Sequence, residues 1–146
     1  MVSMGKPVPV ADQRSGASDT VARLREVPGL DVDAGLAFVG NSLDVYVRLL
    51  NRFVQLHQGD VHQLVQQAEA ADHDSLQRLA HSIKGGAATL GLSGVAGLAK
   101  RLEEAACEGT PTAHLVELAR ALEAGHVALG RHLAAVSVAQ PAERRT

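Results

Sequence analysis

Leu79-Ala80-His81-Ser82-Ile83-Lys84-Gly85-Gly86-Ala87-Ala88-Thr89-Leu90-Gly91 decides how the rest of the chain is read. At about 100° per residue on an α-helix, Leu76, Leu79, Ala80, Ile83, Ala87 and Leu90 fall on one apolar stripe, which predicts a helix with a single core-facing side. His81 points well away from that stripe. Lys84 and Gly85 flank it one turn on, and Ala88 follows two turns on, nearly in line with it. The other six histidines, His57, His62, His73, His114, His126 and His132, have no such setting. Two adjacent glycines inside a helical pattern each cost about 1 kcal/mol relative to alanine, so the Gly85-Gly86 pair needs a reason. Close approach of another surface to His81 is one. A glycine tolerated by accident, or a helix ending early at Gly85, is the competing reading.

Outward from this segment the chain reads as further helices. Asp74-Ser75-Leu76-Gln77 has the form of a capping box and predicts the start of the His81 helix, with its end near Leu90-Gly91. Ser93 is placed to cap the next helix, through Glu108, with Val95, Leu98, Ala99, Leu102, Ala105 and Ala106 on its apolar face. Thr110-Pro111 supplies a capping side chain before a proline at a first helical position, and leucines then recur to about Val138. On the other side, Asn41-Ser42 opens a long periodic run through Leu43, Tyr46, Leu50, Phe53, His57, Val61, Leu64 and Ala68, in which Gly59-Asp60 marks a kink or a break. His57 lies on the stripe of that run and reads as a core histidine. Asp33 predicts a brief helix through Val39, and residues 19–27 a short helical turn before Pro28-Gly29.

Short connections force neighbouring helices to run antiparallel, so the expected fold is all-α: an antiparallel up-down four-helix bundle with a short N-terminal helical cap. Residues 1–18, with Pro7, Pro9, Gly5 and Gly16 and no helical periodicity, read as a flexible tail or linker. The bundle is expected over 19–139, with a frayed tail over 140–146. Met1 and Met4 are compatible with a natural start or with a piece of a longer protein.

Composition agrees and excludes other classes. Of the 146 residues 46% are hydrophobic but only 2% aromatic, so the core must be built from Leu, Val and Ala, which suits closely packed helices better than a β-sandwich. A net charge of −2 from nearly balanced acids and bases gives no nucleic-acid footprint and no polybasic membrane surface. The single cysteine, Cys107, has no CxxC or Cys/His companion at zinc spacing, which agrees with a reducing cytosol. No apolar run approaches the ~20 residues of a membrane span, and the start lacks the pattern of a signal peptide. A soluble, cytoplasmic monomer is therefore the expectation. There is no HExxH, no facial carboxylate set and no Walker loop, so neither a metal site nor an autonomous kinase is expected.

Ala80-His81-Ser82-Ile83-Lys84-Gly85, followed by Gly91, Leu98 and Leu102-Glu103, resembles the signature of histidine-containing phosphotransfer domains, the His-to-Asp relay modules of two-component signalling. The run from Gly35-Leu36 through Tyr46, Leu49-Leu50 and Phe53 is similar to their first helices. The resemblance covers residues 28 to 109 closely, with a compatible final helix. It implies that His81 is phosphorylated on an imidazole nitrogen, that Lys84 helps to hold the phosphoryl group and that Gly85 leaves room for it. It also implies that the partners are receiver domains, which bring their own acidic pocket and Mg²⁺, so that this chain needs no cofactor.

Arg78, Gly86, Ala88 and Leu92 are the candidates for a docking surface beside the histidine, with Leu92 equally readable as core. Glu103 is a candidate helper on the following helix, where a carboxylate would repel phosphate unless it bonds to the ring. The expected function is phosphotransfer between receivers through His81, in a protein standing alone or as the C-terminal module of a hybrid sensor kinase, a carrier and not an enzyme. The alternative is a module that docks on receivers or a kinase as an inhibitor without carrying phosphate.

Overall fold

A computed structural model describes the backbone of residues 7–138 and the side chains of residues 16–136. Among these residues there are seven helices and no strand: α1 (Pro7–Arg25), α2 (Val32–Phe38), α3 (Leu43–Leu56), α4 (Gln58–Glu69), α5 (His73–Thr89), α6 (Ser93–Cys107) and α7 (Thr112–Val138). Helices α4, α5, α6 and α7 pack each on the next, and α7 closes back on α4. Because the connections between them are a few residues long, successive helices alternate in direction, giving the expected up-down bundle. Helix α3 leads into α4 and also packs on α7, while α1 and α2 cover the bundle from the N-terminal side through α7, α3 and α5. The core is almost wholly Leu, Val and Ala, with Tyr46 and Phe53 as its only buried aromatic hydrophobes.

The element boundaries follow side-chain chemistry, and in several places correct the expected ones. Ser42 caps α3 by accepting from the Val45 amide at 3.4 Å, as anticipated. Asp31, not Asp33, caps α2 by accepting from Ala34 at 3.1 Å, and Asp72, not Asp74, caps α5 by accepting from Ser75 at 3.3 Å. Asp74 instead lies in the first turn of α5, where its charge favours the positive end of the helix dipole. Ser93 is the first helical residue of α6 and caps nothing; the amide of Gly94 bonds to the carbonyl of Gly29 at 3.0 Å. Pro111 stands just outside α7, its carbonyl accepting from His114 and Leu115.

The long run upstream of α5 breaks at His57, two residues before Gly59. His57 has φ −99° and ψ 8° and bonds through Nδ1 to Asp60 Oδ2 at 2.9 Å; it is buried, as its place on the stripe implied. The carbonyl of Val54, in the last turn of α3, accepts a hydrogen bond from His126 Nε2 on α7 at 2.9 Å. Such carbonyls have no partner within their own helix, so a side chain from α7 stabilises the break.

The largest departure is α1. A tail was expected over 1–18, yet the chain is helical from Pro7. Both prolines fall in the first turn, where amides have no intrahelical acceptor and proline is tolerated. Only Thr20 and Leu24 of its described side chains are buried, so the helix shows no apolar periodicity that could have revealed it. The N-terminal cap is thus longer than expected. Residues 1–6 and the expected tail over 140–146 lie outside the described residues.

Candidate functional site

Helix α5 buries Leu76, Ala80, Ile83 and Ala87 against the bundle, and the same rotation puts His81 on the outside, its side chain 67% exposed. The C-terminal end of α5 is fixed from two sides. The Tyr46 hydroxyl donates to the Leu90 carbonyl at 2.7 Å, and the Asp31 amide donates to the Gly91 carbonyl at 2.6 Å. Gly91 has φ +77°, and a β-carbon there would overlap the Asp31 carbonyl, which accounts for the glycine closing the motif. Burial pushes the Tyr46 hydroxyl up to about 12, so it remains a donor at any ordinary pH.

The turn at Leu92 lies midway between residues 81 and 103, so antiparallel α5 and α6 bring these two positions level. Glu103 Oε2 meets His81 Nδ1 at 2.7 Å, and its other oxygen, Oε1, meets Lys84 Nζ at 2.7 Å. The Glu103 side chain is only 18% exposed and that of Lys84 31%. The hydrogen bond from Lys84, together with that from His81, holds the Glu103 carboxyl below its ordinary value despite the opposing effect of burial. An ionised carboxylate only accepts, so His81 carries its hydrogen on Nδ1 and donates it. In the neutral ring Nε2 then holds the free lone pair, at the far edge of the ring from the carboxylate.

The adjacent glycines do different things. A β-carbon on Gly85 would meet nothing within 4 Å, so no contact inside the chain calls for glycine there, and the space beside His81 is open. One on Gly86 would press on the Phe53 ring at 3.3 Å, so Gly86 allows α3 to approach α5. Of the expected docking residues, Arg78 and Ala88 are exposed on the His81 side, Gly86 turns toward α3, and Leu92 is 1% exposed. Leu92 is therefore core and no part of a surface. Asp74, Gln77, Arg78, His81 and Glu103 line a shallow depression of about 470 Å³.

Sequence reasoning named Glu103 as a candidate helper but did not fix its role, although its distance from the α5–α6 turn equals that of His81 and was available as a signal. Among the described residues no group of three or more His, Cys, Asp or Glu is placed to hold a metal ion, and no helix is long and apolar enough to cross a membrane. The arrangement offers one exposed nucleophilic nitrogen with its ring oriented by a carboxylate, a lysine beside it and free approach from solvent.

Comparison with known proteins follows the same line. Residues 48–139, well over half of the chain, match the family model described as Hpt domain. No curated protein and no solved structure matches the chain.

Proposed function

The chain belongs to the Hpt domain family, phosphocarriers of histidine phosphotransfer in phosphorelays, and from that premise we propose that His81 is its phosphoryl acceptor. It takes the group from a receiver-domain aspartate and passes it to another receiver. The observation that carries this reading is the bond from His81 Nδ1 to Glu103, which in the neutral ring leaves the lone pair on Nε2, on an exposed face beside the open space at Gly85.

In the forward step the Nε2 lone pair attacks phosphorus in line, an N–P bond forms, and the P–O bond of the acyl phosphate breaks, its electron pair leaving with the receiver's carboxylate. The ring becomes a phosphorylated imidazolium whose Nδ1–H remains on Glu103, and the carboxylate charge balances the positive charge that the ring gains. The reverse step delivers phosphorus to a second aspartate. Lys84, one turn from His81, keeps Glu103 ionised and adds positive charge on the same helix face as the acceptor. Mg²⁺ is needed only on the receiver, so the chain itself requires no cofactor.

The reading extends to a cytoplasmic protein, standing alone or forming the C-terminal module of a hybrid sensor kinase. The test is transfer from a panel of phosphorylated receiver domains, with His81→Gln alongside. Acid-labile, base-stable label that disappears in His81→Gln is the expected result. Label retained by His81→Gln would overturn the assignment, and receiver binding without any label would favour a docking or inhibitory module.

A further inference from the structure

We propose that Arg78 is a phosphoryl-contacting residue of this site, a second cation that grips the transferred group at the edge of the ring opposite Glu103; the inference rests on the reading of His81 as acceptor. Lys84 is already engaged: its Nζ lies 2.7 Å from Glu103 Oε1, so the charge it brings is largely balanced before any phosphate arrives. A phosphoryl group adds further negative charge and three acceptor oxygens at Nε2. The cation that lines the depression together with His81 is Arg78.

Three residues before His81 on α5, Arg78 sits on the neighbouring exposed turn, on the side away from Lys84. Among the described residues it has neither an ion pair nor a hydrogen bond. Asp74, one turn further back, lines the same depression without closing on it. An unengaged guanidinium presents a planar fork of donors matched to two phosphoryl oxygens, which an ammonium group cannot reproduce. It is thus more than a charge that attracts an acidic receiver: the geometry gives it the group that moves.

A docking role and a phosphoryl-holding role separate when no receiver is present. Phosphoramidate is a small donor that can phosphorylate an exposed imidazole directly: the Nε2 lone pair forms the new N–P bond while the donor's own P–N bond breaks and ammonia leaves with its electron pair. The experiment follows His81 labelling from phosphoramidate by ³¹P NMR in the wild-type chain, Arg78→Gln, Arg78→Lys, Lys84→Ala and His81→Gln, with circular dichroism confirming each fold. Arg78→Gln is expected to slow labelling about tenfold, with Arg78→Lys recovering part of the rate because charge returns without the fork. An unchanged rate in Arg78→Gln overturns the proposal, including the case where only transfer from a receiver is slowed, which would make Arg78 a docking residue. Equal labelling of wild type and His81→Gln would remove the acceptor reading itself, an outcome distinct from a failure at Arg78.

Discussion

Glu103 uses both oxygens of one carboxylate, one on the acceptor ring and one on Lys84, and its replacement by glutamine separates charge from geometry. In Glu103→Gln an amide oxygen can still accept from Nδ1–H, but it neither balances the phosphorylated ring nor pairs with Lys84. Transfer to His81 is expected to fall about tenfold, as for loss of one charge-assisted hydrogen bond, with stability changing by under about 1 kcal/mol because the pair is near the surface. Stopped-flow transfer and urea denaturation check the two halves, and an unchanged rate would show that the carboxylate charge plays no part. At His126 the consequence is one of pH. Burial holds this imidazole below its ordinary value of 6.5, opposed in part by its bond to the Val54 carbonyl, with the neighbouring His57 lowering it further and Asp60 raising it. Its Nδ1 is buried without a partner, so a proton there gains no bond. The unfolded chain binds that proton more readily, so the contribution is fully present above about pH 6.5 and is lost as pH falls from there through the lower folded value. Urea midpoints at pH 7.5 and 5.5 should differ less in His126→Gln, which keeps a donor for Val54 but does not titrate; an equal difference would exclude His126 as the source.

Between residues, the ends of helices determine how α5 is held. The Tyr46 hydroxyl and the Asp31 amide bond to the two carbonyls that follow α5, so α2 and α3 set where that helix stops. Tyr46→Phe leaves the buried Leu90 carbonyl without its donor and should cost about 1–3 kcal/mol in urea denaturation, while His81 still labels at temperatures where the variant is folded. A loss of labelling from the folded variant would mean that this end of the helix reaches the site. Such ties also show why sequence reading succeeded in some places and failed in others. The apolar stripes through Leu76, Ile83, Leu102 and Leu122 are strictly local, and they predicted which helices exist and how they alternate. The break fell at His57 because His126, far along the chain, stabilises the Val54 carbonyl, a contact with no local signature. Helix α1 escaped because, among its described side chains, only Thr20, Val21 and Leu24 pack on the core, all near its C-terminal end. The exposure of His81 and the open space at Gly85 could be read from one helix alone, but the contact of Glu103 with His81 and Lys84 required the pairing of two helices, and Leu92 stayed open between docking face and core because its exposure depends on how the turn folds over the core.

At the scale of the whole molecule, the ring formed by α4, α5, α6 and α7 closes on itself and needs no second copy to bury its core, so a concentration-independent monomer mass is expected in sedimentation equilibrium, and a mass that rises with concentration would contradict it. The family match begins at residue 48, yet the core does not. Leu24, Val27 and Val32 are buried with the bundle residues, and the segment following α1 is laced to the α5–α6 turn through the Gly29 and Asp31 backbone. The N-terminal helix therefore supports the bundle from the end remote from its own start, while His81, Lys84 and Glu103 draw on α5 and α6 alone. Removing residues 1–27 takes Leu24 and Val27 out of the core, which corresponds to about 3–6 kcal/mol of apolar burial and is partly offset because α1 no longer has to be ordered. The shortened chain is expected to unfold at distinctly lower urea and, kept well below its transition, to label at His81 at the full rate. Undiminished stability would mean that α1 contributes nothing to the fold, and a folded but unlabelled variant would place the N-terminal helix in the path of the phosphoryl group.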